Sequence, residues 1–230
     1  MFQYALEWGT RRKHDQKSGR LCLCTMVDKG GIDSMKSNMC ALKGIEPDLE
    51  KVLDEVKKVA SYNGLKRKDT LQLMLLAEEL IGIQKGILGF AKGNFYIENT
   101  GSTYKLCLRA DIQTDILTQD RFVEMSTQNR NEAARGIVGK IKYIANLMVS
   151  GNTSALPDYD IFNSQSSAYT YVSPSAYDKI WSLDGYKDRV PQGSAAWDEM
   201  ERSIVANIAD DIIVGATATY IELTAIKKIR

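Results

Sequence analysis

The sequence predicts an α+β sandwich, that is, a mixed, mostly antiparallel sheet with helices layered on one face. Three observations predict this class. Helical and alternating apolar patterns occupy separate segments, in the order α, α, β, β, α, α, β, β. The strand patterns come in adjacent pairs, as hairpins do. With 230 residues, 44% of them hydrophobic and 26% charged, the chain is long enough to bury a core of its own.

The predicted domain begins after a leader. Residues 1–36 are polar and glycine-bearing and lack an apolar period, which predicts a poorly ordered leader. Residues 37–230 are predicted to form a single domain that contains a long excursion at 151–193. The segment MCALKGI, at 39–45, is the first predicted strand of this domain.

Two helices are predicted next. Pro47 opens the first, because proline is favoured in the first turn, and Gly64 ends it. The apolar residues of one face of this helix are Leu49, Val52, Leu53, Val56, Val59 and Ala60. The second helix is predicted to begin at Asp69 as N-cap, with Gln72 three residues later as in a capping box, and to run to about Gly89.

The second helix contains two adjacent acids in an apolar stretch. The segment LLAEELIGIQKGILGF, at 75–90, is apolar on nearly every side, so the helix is predicted to be central and mostly buried. Its expected core residues are Leu73, Leu76, Leu80 and Ile83. Glu78 and Glu79 interrupt the stretch, although a buried charge is costly unless it is paired. Either one acid lies in solvent and the other pairs with Arg67 or Lys85, or the acids have a function.

A hairpin and a third helix follow. Alternating patterns predict strands at 94–98 and 103–110, joined by the turn NTGS. The residues that share one face of the second strand are Tyr104, Leu106, Leu108 and Ala110. A third helix is predicted over 126–151. Its apolar stripe comprises Ile137, Val138, Ile141, Ile144, Ala145 and Met148.

The last third of the chain begins with the excursion, which is rich in tyrosine and serine. A short helix over 175–183 is the only element predicted there. Ser194 is predicted to cap a fourth helix, AAWDEMERSIVANIA. Its expected core residues are Trp197, Met200, Ile204 and Ile208. The segments DIIVGA and TYIELTAIKK are predicted to close the chain as another hairpin.

Composition excludes several classes of function. A net charge of +1 gives no electrostatic field that favours nucleic acid or an anionic membrane, so neither is expected as a partner. His14 is the single histidine and lies in a segment without apolar period, which argues against Ser-His-Asp, Cys-His or imidazole-metal chemistry in the folded body. Cys22 and Cys24 form a lone C-x-C, which is weak evidence for a metal site. No export signal is recognised, so a cytoplasmic location is expected.

The order of elements resembles the histidine-kinase-like (GHKL) ATPase superfamily, most closely its anti-sigma-factor kinase type. The resemblance rests on a strand, a helix, a second helix with a central glutamate, a hairpin ending in aspartate, a variable segment, a Gly-bearing helix and two closing strands. It covers about residues 38–150, with a weaker continuation from 210.

The resemblance implies a nucleotide site with one ligand missing. Glu78 falls where the family's glutamate orients a water, and Gly82 falls where an asparagine holds magnesium, yet glycine has no side chain to do so. Asp111 falls where an aspartate hydrogen-bonds the adenine amine, although Gln113 and Asp115 stand where glycines are expected.

The phosphate side of the implied site is the segment ARGIVGK. There Gly136 and Gly139 would present backbone N–H groups at a helix start, and Lys140 would add positive charge. Close helix packing explains the two glycines equally well.

Two functions stay open at this point. One is an ATP-binding-like regulatory or signalling domain, with ATP and magnesium as cofactors and with weakened or lost catalysis. The other is a protein–protein interaction module that binds no nucleotide, in which the tyrosine-rich segment 159–186 provides the contact surface.

Overall fold

The computed structural model describes residues 24–27, 33–43, 47–88, 92–112, 136–150, 179–217 and 219–230. The strands among them are β1 (Cys24–Val27), β2 (Asp33–Lys36), β3 (Cys40–Leu42), β4 (Gly93–Thr100), β5 (Thr103–Asp111), β6 (Lys179–Ser182), β7 (Asp211–Ala216) and β8 (Tyr220–Lys228). The helices are α1 (Pro47–Tyr62), α2 (Arg67–Leu88), α3 (Gly136–Ser150), α4 (Leu183–Lys187), α5 (Ala195–Arg202) and α6 (Ile204–Ile208).

The strands form one sheet, in the order β1-β2-β4-β5-β8-β7-β6, and β3 pairs with β4 alongside β2. Every pairing among the described strands is antiparallel, so the parallel pair of a mixed sheet does not occur in this part of the chain. The helices cover one face: α1 contacts β3 and β4, α2 contacts β5 and β8, and α3 contacts β7. The predicted α+β class is confirmed. None of the described helices is long and apolar enough to cross a membrane.

The alternation of side chains along the strands places the core on the face of the sheet that the helices cover. The register places Phe95 opposite Leu108, Leu108 opposite Leu223, and Leu223 opposite Val214, in a row across four strands. Directly opposed residues of antiparallel strands point to the same face. All four side chains are fully buried, and they belong to one hydrophobic cluster that also contains residues of α1, α2 and α3.

Helix α2 crosses the middle of this core. The four residues predicted as its core contacts are Leu73, Leu76, Leu80 and Ile83, and none is more than 1% exposed. That part of the prediction is confirmed. The side of α2 that points away from the sheet is exposed, however, so the helix is buried on one side only.

Two buried acids of α1 hold the ends of β3. The carboxylate of Glu55 accepts a hydrogen bond from the Asn38 N–H at 3.1 Å, and that of Asp48 accepts one from the Lys43 N–H at 2.7 Å. Both acids are at most 5% exposed. Because a buried carboxylate without a partner is costly, these hydrogen bonds fix β3 against the first helix. The apolar periodicity of α1 does not reveal them.

Several predicted boundaries were wrong. Helix α2 begins at Arg67, two residues before the predicted N-cap Asp69, which lies in the first turn. Strands β1 and β2 lie inside the segment predicted as a poorly ordered leader, and Met35 is buried there. Residues 1–36 have no apolar periodicity, so no strand was predicted there. Backbone hydrogen bonds between β2 and β4 stabilise β2 instead.

The C-terminal third differs from prediction in two places. Instead of a helix over 175–183, residues Lys179–Ser182 form β6, because they pair with β7 at the sheet edge. Ser194 caps α5 as predicted, accepting a hydrogen bond from the Trp197 N–H, but the helix ends at Arg202. Ser203 caps the new helix α6. The break turns Ile204, predicted as a core residue, outward, where it is 67% exposed.

Leu76→Ala is expected to destabilise the chain by about 2–5 kcal/mol, since it leaves a cavity at the fully buried side of α2. Leu75→Ala is the matched control, because Leu75 is 43% exposed, and it should change the free energy of unfolding by less than about 0.5 kcal/mol. Urea unfolding monitored by circular dichroism measures both. Equal costs would show that α2 is not oriented as described.

Glu55→Ala is expected to cost about 1–3 kcal/mol, because the N–H of Asn38 would lose its charged acceptor. Asp54→Ala is the control, since the neighbouring Asp54 side chain is 64% exposed and forms a surface ion pair with Lys57. Chemical denaturation measures both variants. A Glu55 variant as stable as the Asp54 variant would contradict the role of Glu55 at β3.

Candidate functional site

The two acids of α2 lie at different depths. Glu78 is exposed and Glu79 is half-buried. One acid therefore stands in solvent, as the simpler of the two interpretations predicts, and an exposed carboxylate needs no buried partner. Gly82 lies one turn after Glu78 on the same exposed side, and a Cβ built there meets no described atom within 4 Å apart from the backbone of its own helix. Among the described elements, close packing is therefore not the reason for a glycine at this position.

The exposed side of α2 is a continuous stripe, called here the outer stripe of α2. It consists of Lys68, Leu71, Leu75, Glu78, Gly82 and Lys85. It lies opposite the core residues of the same helix, because successive residues turn by about 100° in an α-helix. Leu71 is 48% and Leu75 is 43% exposed, so the stripe has an apolar centre.

Asp111 lies on the other side of the sheet. It is the last residue of β5 and pairs with Tyr220. Ala110 points into the helix-side core, so its neighbour Asp111 points to the opposite face, which is called here the second face. The Asp111 N–H donates to the Lys92 carbonyl oxygen at 2.9 Å. The structure therefore does not bring Asp111 to the side of the sheet on which Glu78 and Gly82 lie.

The predicted phosphate-binding residues lie on α3. Gly136 is its first residue, while Gly139 and Lys140 are half-buried in its first turns. The ammonium of Lys140 lies 5.3 Å from the centre of the Tyr186 ring. Helix α3 contacts α2, so these residues share the helix layer with Glu78 and Gly82. Gln113 and Asp115 fall outside the described residues.

A polar cluster on the second face was not predicted. Cys107 of β5 lies between Tyr96 of β4 and Thr224 of β8, which are its partners in the strand register. The Thr224 hydroxyl donates to the Cys107 sulfur at 3.9 Å, and a hydrogen bond joins the thiol to Tyr96. Burial raises the pKa of Cys107 to about 12, with smaller contributions from the carboxylates of Glu222 and Glu98. Burial also raises the pKa of Tyr96.

Cations stack on aromatic rings at both sides of this cluster. The Lys36 ammonium lies 3.7 Å from the centre of the Tyr96 ring and 3.2 Å from a Glu98 carboxylate oxygen. The Arg109 guanidinium lies 3.4 Å from the centre of the Tyr220 ring. The alternation in TYKLCLRA could have indicated which residues lie on the second face, because they are the residues between the predicted core positions.

The chemistry available to these groups is limited. A thiol with a pKa of about 12 stays protonated at neutral pH, and the thiolate is the nucleophilic form. In the described part of the chain, no group of three or more His, Cys, Asp or Glu residues is arranged to hold a metal ion. His14 and Cys22 lie outside the described residues. The second-face cluster therefore joins β4, β5 and β8 structurally.

Comparisons of this chain with protein-family models, with curated proteins and with solved structures give no match.

Gly82→Ala is expected to raise the free energy of unfolding by about 1 kcal/mol, and Gly82→Asn by less, because glycine is a poor helix former and space is open at this position. Gly93→Ala is the contrasting control. A Cβ at Gly93 would overlap the backbone carbonyl of Arg109, so this variant should be clearly destabilised. Thermal melting compares the three variants. A loss of stability in Gly82→Ala would contradict the open surroundings of Gly82.

The buried thiol of Cys107 is expected to make stability fall at high pH. Its folded pKa of about 12 exceeds the ordinary thiol value of 9.0, so the folded state holds the proton more tightly than the unfolded state. The resulting stability is fully present below pH 9 and is lost as the pH rises through 12. The stability advantage of the wild type over Cys107→Ala, measured by urea unfolding, should shrink over that range. An advantage that does not change with pH would contradict this protonation state.

Proposed function

We propose that this chain is a non-catalytic protein-binding module of the cytoplasm, and that its partner docks on the outer stripe of α2. The observation that carries the proposal is the exposure of Leu71 and Leu75 at the centre of that stripe. Both leucines lie on a regular helix, so a partner would meet a preformed surface and would bind without the entropic cost of ordering it.

The surface is not the one that the sequence offered for an interaction module, namely segment 159–186, for which packing over its own sheet edge was the alternative. Of the tyrosine-rich segment 159–186, only the last part is described, and its two large rings are packed inward. Trp181 is 1% and Tyr186 is 8% exposed, with ring centres 5.9 Å apart. These rings hold the sheet edge near β6, so they offer no area to a partner. The exposed leucines of α2 do, because their burial would remove apolar surface from water.

The proposal is tested with a photo-crosslinking amino acid placed at position 71 or 75 of the full chain, in cells that produce the protein naturally. Discrete protein adducts are expected at both positions. Position 57, exposed on α1, is the control and should give none. Leu71→Glu combined with the crosslinker at 75 should abolish the adduct, since the charge would disrupt the apolar centre. Equal yields at 57 and 75, or no adduct at either leucine, would overturn the proposal.

A second candidate function is binding of adenine nucleotide by a regulatory domain of the histidine-kinase-like type. Two observations favour it. The described elements follow the order that the resemblance implies, from β3 through α1, α2, β4, β5 and α3 to β7 and β8. The surroundings of Gly82 are open beside Glu78, which leaves room for a ligand. ATP and magnesium would be the ligands, with negligible hydrolysis, because Gly82 offers magnesium no side-chain oxygen.

A thermal-shift titration with ATP and magnesium separates the two candidates. A ligand at a hundred times its dissociation constant stabilises the folded state by about 2.7 kcal/mol. Stabilisation that increases in Gly82→Asn would support nucleotide binding, and no shift at millimolar nucleotide would exclude it. Steady phosphate release that vanishes in Glu78→Gln would show that the site is catalytic after all.

A further inference from the structure

The charges near the outer stripe of α2 are arranged symmetrically about the two exposed leucines. Leu71 and Leu75 lie two residues before and two residues after position 73. The basic pair Arg67 and Lys68 lies six and five residues before that position, and the acidic pair Glu78 and Glu79 lies five and six residues after it. Apart from the half-buried Asp69, the helix is therefore basic at one end of the apolar centre and acidic at the other, at equal distances.

We propose that a second copy of this chain docks on the outer stripe, with the two α2 helices antiparallel and related by a two-fold axis at the level of residue 73. The proposal rests on the proposed function and names its partner. The two-fold axis is perpendicular to both helices. A residue that precedes position 73 in one copy therefore lies level with the residue that follows position 73 by the same number of residues in the other copy. Leu71 of each copy then lies level with Leu75 of the other.

The same operation pairs the charges. Arg67 and Lys68 of one copy lie level with Glu78 and Glu79 of the other. Opposite charges therefore meet at both ends of the contact. A parallel arrangement would instead place like charges together, which is unfavourable. The charge pattern thus selects one orientation of the second copy, and it gives the adjacent acids of α2 a role that the fold itself does not require.

Neighbouring surface is compatible with this contact. Beyond the acidic pair, the outer stripe continues to Gly82, which has open space, so a second helix can approach there. Two of the helices that pack against α2 each expose one large apolar side chain, Tyr62 on α1 at 65% and Ile204 on α6 at 67%. The contact along one helix is smaller than most stable interfaces, which predicts a dimer that dissociates on dilution.

Charge exchange tests the proposal on the full chain by sedimentation velocity from micromolar to millimolar concentration. The acidic variant carries Arg67→Glu and Lys68→Glu, and the basic variant carries Glu78→Lys and Glu79→Lys. In a dimer of either variant, like charges would meet at both ends of the contact. The dimerisation of each variant should therefore weaken by more than about tenfold relative to the wild type. An equimolar mixture of the two has opposite charges at both ends and should dimerise at least as well as the wild type.

Lys57→Glu is the control, because it changes charge on the exposed face of α1 and should leave dimerisation unchanged. The changed side chains are exposed or half-buried, and circular dichroism melts verify folding of each variant. A third variant, Leu75→Ala, should also weaken the dimer without unfolding the chain. A monomeric wild type, or acidic and basic variants that each dimerise like the wild type, would overturn the proposal.

The two proposals fail in different ways. If the wild type is monomeric but a crosslinker at position 75 captures a different protein, the partner is not a second copy and the binding function stands. If the wild type is monomeric and no adduct forms at 71 or 75, both proposals fall. An adduct at 75 with twice the chain's mass, lost in the acidic variant and recovered in the mixture, supports both.

Discussion

The packing of α2 on the two central strands is the constraint on which the rest of the molecule depends. The buried side of α2 lies over β5 and β8 and consists of Leu73, Leu76, Leu80 and Ile83. Helices α1, α3 and α6 then pack against α2 as well as against the sheet or one another. Removing apolar area from water is the main favourable term in folding, and most of the described core converges on this helix.

The same constraint explains why α2 is both central and exposed. The helices form one layer on the sheet, so a helix in the middle of that layer has neighbours on both sides and below it but none described above it. Its core side and its outer side are about 180° apart. The outer stripe therefore lies in solvent, although the sequence of the helix is apolar around most of its circumference. An apolar residue in that stripe is available to another protein.

The two faces of the sheet satisfy their polar groups differently. On the helix side, the acids Asp48 and Glu55 serve as acceptors for backbone N–H groups at β3. On the second face, side chains pair across strands, as Lys36 does with Glu98, and cations stack on Tyr96 and Tyr220. At the centre of that face Cys107 is buried among its neighbours and stays protonated. These arrangements stabilise the sheet without creating a reactive group.

The position of Asp111 shows why an order of elements does not establish a site. Its place at the end of β5 agrees with the resemblance. Whether the two side chains meet depends on the parity of one strand position, since successive residues of a strand point to opposite faces. Ala110 points to the helices and Asp111 to the second face. The apolar alternation of TYKLCLRA already indicates this parity in the sequence, and the buried residues of β5 agree with it.

The sequence by itself determined the fold class, the order of the elements and most of the core, because periods of 2 and 3.6 residues are local properties of the chain. It also contained the symmetric charges of α2. Only the tertiary structure decided that Leu75 lies in water while Leu76 is buried, and that Lys179–Ser182 is a strand. It also decided that Ile204 turns outward. These outcomes depend on which neighbours each element finds, and neighbours distant in the sequence leave no local pattern.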